Sequence, residues 1–491
     1  MQQRLRLALA AATAAALTGG LLTFTAATAT AADSTTVPQA DFNGDGIGDV
    51  AFSAAGAYVS GLKNAGQVVV LYGTSTGVGT AKRSVLSQNS AGVPGGSEAG
   101  DAFGSETAYG DFNHDGYDDL AVGTPHEKVS GDTNGGTVAV LWGSASGITG
   151  KGVTVPDPAA SSHDRWGQYL AAGDFDGDGR DDLAVANSSS TIYVYKGGIT
   201  SAGAAGTARS TVKPPVQSGG DTGPLNLTAG DVNGDKKTDL VVDGYETTGE
   251  YGWNANYYLP GTSSGPSTAA AKKLRPGVIT AIGDVNGDGY GDIVTGAYWD
   301  SKTSDGVTIP DSADGGRAGV TYGSASGPGG TATITQNTGN VPGGSEKGDA
   351  FAAELDLGDI NGDGYQDLVV GAPGEDLGGV TDAGALTVLY GSASGIDTTS
   401  GTQFFAQSTA GVPGSDEKYD SLGVDVKLDD VNGDGRADLV ASSWENAGNG
   451  SLLYLPSNGT KIVTSGAGSL SPSALGVATT GTPNLGANFA D

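Results

Sequence analysis

A nine-residue acidic pattern, Asp-x-Asn/Asp-x-Asp-x-x-x-Asp, occurs seven times in the chain, with Gly at the sixth position in every copy but one. The copies are Asp41–Asp49, Asp111–Asp119, Asp174–Asp182, Asp231–Asp239, Asp284–Asp292, Asp359–Asp367 and Asp430–Asp438. In a tightly wound loop, positions 1, 3 and 5 turn their side chains toward one centre, and Gly at position 6 permits the sharp turn. The pattern therefore gathers several oxygen atoms around a single point.

These loops are predicted to bind calcium. Side-chain oxygens of positions 1, 3 and 5, the backbone carbonyl of position 7 and the carboxylate of position 9 form an oxygen shell of the kind seen in EF-hand loops. Hard oxygen ligands without His or Cys favour Ca²⁺ over zinc or copper, and Mg²⁺ is the second choice because it demands stricter octahedral geometry. The predicted metal ligands are Asp41, Asn43, Asp45, Ile47, Asp49, Asp111, Asn113, Asp115, Tyr117, Asp119, Asp174, Asp176, Asp178, Arg180, Asp182, Asp231, Asn233, Asp235, Lys237, Asp239, Asp284, Asn286, Asp288, Tyr290, Asp292, Asp359, Asn361, Asp363, Tyr365, Asp367, Asp430, Asn432, Asp434, Arg436 and Asp438.

The loops are not equivalent, and up to seven calcium ions are expected. The third loop has Asp176 where the other loops have Asn, so it offers one more carboxylate. The fourth loop carries Lys236 where the others have Gly, followed by Lys237. A side chain disfavours a left-handed backbone, and two cationic side chains repel a metal ion, so this loop is predicted to be the weakest site.

Short strands surround each acidic loop. An apolar segment such as Leu120–Val122 follows the loop, and a Val/Leu-rich segment that stops at Gly, such as Val138–Gly143, comes next. A Ser/Gly turn leads to a fourth strand. Loop spacings of 53 to 75 residues accommodate four short strands with their turns, so the chain is predicted to be all-β, with seven four-stranded units.

The two ends of the chain indicate how this array closes. The first repeat has only a polar leader before its acidic loop, whereas the segment Leu485–Asp491 matches Phe103–Tyr109, which precedes the second loop. A repeat split between the termini joins the first and last units and leaves no exposed sheet edge. The fold is therefore predicted to be a seven-bladed β-propeller whose first blade is completed by the C-terminal strand.

The repeat resembles the FG-GAP repeats of the integrin alpha-chain N-terminal propeller. Phe103-Gly104 and Gly123-Thr124-Pro125 match the apolar-Gly and Gly-Ala-Pro elements of that family, and Gly371-Ala372-Pro373 matches the second element in full. The chain differs from integrins in carrying an acidic loop in every repeat, and secreted bacterial FG-GAP proteins are the nearer comparison. The resemblance implies that ligands bind on the face opposite to the calcium loops.

Composition limits the partners. The 55 Asp and Glu residues outnumber 24 Lys and Arg residues, and the net charge of −31 argues against nucleic acid and anionic membranes as partners. Residues 1–32 combine two Arg, an Ala/Leu stretch and small residues, as in a cleaved export signal. We expect residues 33–491 to form one secreted, extracellular, monomeric domain with no membrane span, braced by metal ions because it has no Cys.

Aromatic residues in the loops after the second strands form the candidate ligand site: Tyr245, Tyr298, Trp299 and Trp444. Exposed aromatic residues on rigid loops suit sugar or protein binding, and the alternative is packing between blades. The leading hypothesis is a non-catalytic binding or adhesion module for an extracellular protein or glycan. A lectin-like propeller is the first alternative. An enzyme such as a polysaccharide lyase or phospholipase is the second, with His126-Glu127 or His163-Asp164-Arg165 as candidate catalytic groups.

Overall fold

Seven antiparallel sheets surround a central axis in the computed structural model of the chain. The structure describes residues 39–203, 208–219, 222–248, 252–300, 302–304 and 307–490. The predicted export signal lies outside these residues. Each sheet is one blade, and its strands follow one another in chain order from the axis outward. The predicted seven-bladed, four-stranded propeller is confirmed.

Blades 1 to 4 occupy the first half of the propeller. Blade 1 contains Val50–Ala54, Gln67–Leu71 and Arg83–Leu86. Blade 2 contains Glu106–Gly110, Asp119–Thr124, Thr137–Leu141 and Gly152–Val155. Blade 3 contains Leu170–Gly173, Asp182–Val185, Ile192–Tyr195 and Arg209–Val212. Blade 4 contains Asn226–Gly230, Asp239–Tyr245, Asn254–Leu259 and Lys272–Lys273.

Blades 5 to 7 complete the ring. Blade 5 contains Ile279–Gly283, Asp292–Ala297, Arg317–Thr321 and Thr331–Ile334, with a small hairpin of Thr303–Ser304 and Val307–Thr308 inserted after its second strand. Blade 6 contains Glu354–Gly358, Asp367–Ala372, Ala385–Leu389 and Gln403–Phe405. Blade 7 contains Val426–Asp429, Asp438–Ser443, Ser451–Leu455 and Gly468–Leu470. The described helices are single turns at Thr268–Ala270, Glu445–Gly448 and Pro472–Leu475.

The hydrophobic core lies between the blades. Each of seven clusters of buried side chains joins two neighbouring blades, so the blades are held face to face around the whole ring. All six residues of the second strand of blade 2 are buried, because neighbouring blades cover both faces of the sheet. A strand covered on both faces requires apolar residues on both, and the continuous apolar runs of the sequence supply them.

The C-terminal segment completes blade 1, as predicted. Ser53 N–H donates to Asn488 O at 2.8 Å, and Ala490 N–H donates to Ala51 O at 2.9 Å. The Phe489 ring packs edge-on against Phe52, with the ring centroids 6.0 Å apart. Residues 486–490 therefore pair with the first assigned strand of blade 1 as an inner strand.

Leu485 occupies the place that an apolar residue takes at other blade junctions. Its N–H donates to Asn449 O of blade 7 at 3.2 Å. In the same way, Phe103 N–H donates to Ala65 O at 3.1 Å, one blade further round the ring. The seventh junction is therefore built like the others, and the ring is closed by backbone hydrogen bonds as well as by apolar packing.

Candidate metal centres and ligand cleft

In blades 2 to 7 the acidic loop connects the first and second strands, and in blade 1 it leads into Val50–Ala54, so all seven loops lie on one face of the propeller. In each loop, the N–H of the sixth residue donates to Oδ2 of the first Asp, with N to O distances of 2.7 to 3.0 Å. In the fifth loop Gly287 N–H also donates to Asp284 Oδ1 at 2.6 Å. The loop thus wraps around its first carboxylate, which brings positions 1, 3 and 5 together.

The closing Asp of each loop is almost completely buried; it begins the second strand in blades 2 to 7 and directly precedes Val50–Ala54 in blade 1. One of its oxygens accepts a hydrogen bond from the backbone N–H of a residue that follows the third strand, at 2.7 to 2.9 Å in all seven blades. This bond anchors the carboxylate between two strands. Oδ2 of Asp119 and Oδ2 of Asp182 are buried without a protein hydrogen-bond partner among the described residues.

Burial makes these closing carboxylates hard to ionise. Desolvation, together with the acidic residues of the same loop and partly opposed by backbone hydrogen bonds, raises the pKa of Asp119 and Asp367 to about 8. The same causes raise the pKa of Asp292 to about 7. A buried carboxylate beside like charges favours a cation as its partner, and the oxygen-only donor set suits Ca²⁺. The residues present therefore fit the predicted ion.

The third loop contains both an extra carboxylate and a cationic side chain. Carboxylate oxygens of Asp174, Asp176 and Asp182 lie within 4.8 Å of one another. Lys196, just after the third strand, donates from Nζ to Asp176 Oδ2. Sequence reasoning missed this lysine, because the equivalent position of blade 2 holds Trp142 and carries no charge. Lys196 offsets part of the negative charge of the loop that is richest in carboxylates.

The fourth loop has the strained backbone expected from its sequence. Lys236 has a φ of 65°, in the left-handed region, while its N–H still donates to Asp231 Oδ2 at 2.8 Å. Lys237 Nζ donates to Asp235 Oδ2 at 3.2 Å. The lysine ammonium occupies one carboxylate oxygen of the predicted shell, which is consistent with the prediction that this site is the weakest.

The opposite face carries an aromatic cleft between blades 4 and 5. Tyr245 and Trp253 line it from blade 4, and Tyr298 and Trp299 line it from blade 5, around a volume of about 320 Å³. The Tyr298 and Trp299 rings meet edge to face with centroids 6.2 Å apart. Trp299 Nε1–H donates to Pro310 O at 3.2 Å, which fixes the indole against the cleft wall.

The structure brings three of the four predicted ligand residues together. Tyr245 and Trp299 are half-buried, whereas Tyr298 is 47% exposed, so the cleft presents aromatic surface to solvent. Trp444 is 51% exposed, but it belongs to blade 7 and lies outside this cleft. Trp253, which is not among the predicted ligand residues, completes the cleft; its position just before the third strand of blade 4 is the signal that could have identified it.

The two candidate catalytic pairs do not form acid–base pairs. His126 is exposed, while Glu127 is buried and accepts a hydrogen bond from Gln88 Nε2 at 2.6 Å. His163 is buried and stacks on Trp166, with its Nε2 3.3 Å from Asp157 Oδ1. Asp164, its neighbour in the chain, is exposed. His163 thus packs at the junction of blades 2 and 3.

Within the described residues, no helix is long and apolar enough to span a bilayer. An FG-GAP repeat model matches residues 35–71, 103–141, 276–317 and 351–389, and an FG-GAP-like repeat model matches residues 174–242. The matched segments include six of the seven acidic loops, all but Asp430–Asp438. The repeat assignment thus agrees with the loops and strands described above.

Two groups of curated relatives match the chain. The phosphatidylinositol-glycan-specific phospholipase D of Mus musculus is 36% identical over 149 residues, which cover 30% of this chain and 17% of that protein. Integrin alpha-PS2 of Drosophila melanogaster is 27% identical over 273 residues, covering 54% of this chain and 15% of the integrin. Integrin alpha pat-2 of Caenorhabditis briggsae is 26% identical over 273 residues, covering 55% of this chain and 18% of that integrin. The matches span less than a fifth of each relative. The chain is therefore a seven-bladed propeller that carries FG-GAP repeats and is homologous to integrin alpha chains.

Proposed function

We propose that this protein is a secreted, calcium-binding propeller that acts as a non-catalytic binding or adhesion module. Its ligand is a glycan or a protein outside the cell, and the binding site is the aromatic cleft between blades 4 and 5. The observation that carries the proposal is the convergence of Tyr245, Trp253, Tyr298 and Trp299 on one partly exposed cleft. Rigid aromatic residues supply contact area at little entropic cost, as in many recognition sites.

A glycan is the favoured ligand. A cleft of about 320 Å³ accommodates one or two sugar rings, whereas a stable protein interface buries about 800 Å² on each partner. Sugar rings stack their C–H faces on aromatic side chains, and Tyr298 offers an exposed ring for this contact. Some relatives have names that specify action on a phosphatidylinositol-glycan, and such a substrate carries sugar. A protein ligand is the second candidate, supported by homology to integrin alpha chains.

Calcium has a structural role in this proposal. The first, third, fifth and ninth side chains of each loop, with the carbonyl of the seventh residue, would hold the ion, and it would neutralise carboxylates that otherwise repel one another. The closing Asp is bonded to a residue beyond the third strand, so the ion would brace three segments of a blade. The protein has no Cys, and these ions would provide the cross-links that disulfides supply in other exported domains.

The experiment is a glycan array probed with the full chain, with and without calcium. We expect a restricted set of glycans to bind, and binding to weaken at least about tenfold when Tyr298 and Trp299 are replaced by Ala, since hot-spot aromatics contribute 2 kcal/mol or more. Tyr419→Ala is the matched control, because Tyr419 is 55% exposed and lies outside the cleft.

Several outcomes would contradict the proposal. Equal glycan binding by the cleft variant and the parent would show that the cleft is not the binding site. Loss of folding in the cleft variant, seen as a large fall in melting temperature, would assign these aromatics to inter-blade packing. Turnover of a bound glycan or glycolipid, detected as product, would replace the non-catalytic function with an enzymatic one.

A further inference from the structure

Three blade junctions carry a triad of carboxylates on the face opposite to the acidic loops. In each triad, two residues belong to the loop that enters a blade, and the third follows the second strand of that blade. The triads are Glu98, Asp101 and Glu127 at junction 1–2, Glu346, Asp349 and Glu375 at junction 5–6, and Glu417, Asp420 and Glu445 at junction 6–7. Among the described residues, the first triad is the one whose three carboxylates all have an oxygen within 4.8 Å of one another, and the other two triads are more open. Asp101 and Glu127 are buried there.

The same hydrogen bonds hold each triad. The second residue accepts from the backbone N–H of the first, as in Glu346 N–H to Asp349 Oδ2 at 2.6 Å and Glu417 N–H to Asp420 Oδ2 at 2.8 Å. A glutamine amide donates to the third residue. The donors are Gln88 to Glu127 and Gln336 to Glu375, both at 2.6 Å, and Gln407 to Glu445. The arrangement is therefore a built feature of three junctions.

An independent observation points to a ligand. Gln88, Gln336 and Gln407 are 4% to 5% exposed, and the Oε1 atom of each is buried with no hydrogen-bond donor among the described residues. Oε1 shares its amide carbon with the Nε2 that donates to the triad carboxylate, so it lies within about 5 Å of that carboxylate. Ser97 Oγ, beside Glu98, is likewise buried without a partner. A buried oxygen without a partner is costly, and it recurs at three equivalent places, where a bound cation would satisfy it.

The negative charge at the triads also favours a bound cation. Burial, and then neighbouring carboxylates, raises the pKa of Glu375 to about 7 and of Asp349 and Asp420 to about 6. The charged groups that act most strongly on them are acidic, and they include Asp300, Asp376 and Asp416 outside the triads. A cation would compensate this charge.

We propose that the three triads are calcium sites, a second set on the face opposite to the acidic loops. Each site offers three carboxylates and one amide oxygen, an oxygen-only set that suits a hard divalent cation. Each ion joins the loop between two blades to the second blade, so it clamps the junction. At junction 5–6 the clamp adjoins the aromatic cleft, because Gly348 N–H donates to Asp300 Oδ2 at 2.7 Å and Asp300 follows Trp299.

Native mass spectrometry of the full folded chain in rising calcium tests the proposal. We expect up to ten bound ions, seven in the acidic loops and three in the triads. The variant Glu127→Gln, Glu375→Gln, Glu445→Gln removes one carboxylate from each triad and keeps an oxygen that can accept from the glutamine. It should bind three fewer ions than the parent. The control variant Asp132→Asn, Asp164→Asn, Asp314→Asn removes the same charge elsewhere and should bind as many as the parent.

The proposal is overturned if the triad variant binds as many ions as the parent. The test is separate from that of the acidic loops, because failure of the loops would leave three ions in the parent and none in the triad variant. If the triad variant fails to fold, crystals of the parent protein soaked in terbium provide the test instead. Anomalous peaks at the three triads support the proposal, and peaks at the acidic loops alone overturn it.

Discussion

The backbone N–H of Gly48 in the first acidic loop donates to the carbonyl oxygen of Asp430 in the last loop at 2.9 Å. Five further junctions repeat this bond, from the eighth residue of one loop to the first Asp of the preceding loop. The pairs are Asp118 to Asp41, Thr238 to Asp174, Gly291 to Asp231, Gln366 to Asp284 and Ala437 to Asp359, at 2.9 to 3.2 Å. At the remaining junction, Asp111 N–H donates to Asp181 Oδ2 at 2.9 Å. The seven loops thus form one hydrogen-bonded belt, through which an ion bound in one loop would support its neighbours.

Removal of calcium should destabilise the whole ring. One ion at a hundred times its dissociation constant adds about 2.7 kcal/mol to the free energy of unfolding, and several loops act on one cooperative fold. Scanning calorimetry in excess chelator should therefore show the melting temperature at least about 10 °C below its value in calcium. Restored calcium should reverse the change. A melt that is the same in both conditions, with the metal shown to be removed, would contradict structural calcium in the loops.

Replacement of Lys236 by Gly should strengthen calcium binding at the fourth loop and raise the thermal stability of the protein. Lys236 has a φ of 65°, and relief of a left-handed backbone in a non-glycine residue is worth about 1 kcal/mol. Loss of its charge should also strengthen calcium binding at this loop. Lys236→Ala is the matched control, since it removes the charge and keeps the Cβ. We expect calorimetry of calcium binding to show a gain in both variants, and thermal melts in chelator to show a gain only with Gly. Equal melting temperatures for the two variants in chelator would show that backbone strain at residue 236 does not limit stability.

Leu485→Ala should destabilise the protein as much as the same change at an ordinary junction. Leu485 is buried, and its loss should cost about 2–5 kcal/mol in the free energy of unfolding. Leu422 occupies the equivalent place at junction 6–7 and is equally buried, so Leu422→Ala is the reference. Urea unfolding measures both. A much smaller effect at Leu485 would mean that the C-terminal segment contributes little to closure. Deletion of residues 485–491 should lower the melting temperature further or cause aggregation, because it exposes a strand edge.

Asp243 should make stability depend on pH. Burial raises the pKa of Asp243 to about 8, although its carboxyl group accepts a hydrogen bond from Thr280 Oγ1 at 3.2 Å. From about pH 4 to pH 8, this residue is therefore neutral in the folded protein and ionised in the unfolded chain. The unfolded chain binds fewer protons, so the free energy of unfolding falls as pH rises, by at most about 1.4 kcal/mol per pH unit from this group.

Asp243→Asn keeps the shape of the side chain and removes this titration. In excess calcium, the variant and the parent should have similar stability near pH 4, and the variant should be the more stable near pH 8. Urea unfolding across this range gives the comparison, with the exposed Asp314→Asn as control. Parallel pH profiles for Asp243→Asn and the parent would show that Asp243 is ionised in the folded protein.

The sequence alone determined the blade count, the closure and the position of the loops. Each acidic loop is a run of nine consecutive residues, and its spacing encodes both a turn and a set of oxygen atoms. Local hydrogen bonds, such as Gly289 N–H to Asp284 Oδ2, then form wherever that run occurs. The match between Leu485–Asp491 and Phe103–Tyr109 was enough to indicate the closed ring, because equivalent segments of a repeat make equivalent contacts.

Only the tertiary structure decided which distant residues meet. The ammonium of Lys196 reaches Asp176 across a blade, and Trp253 joins Trp299 across a blade junction. Glu127 and Gln88 likewise belong to different blades, and neither residue carries a signal in its own stretch of chain. Side chains on loops of unequal length do not follow the repeat, so their contacts depend on how neighbouring blades pack. The face that carries the acidic loops is therefore encoded locally, whereas the aromatic cleft and the carboxylate triads arise from the assembly of the ring.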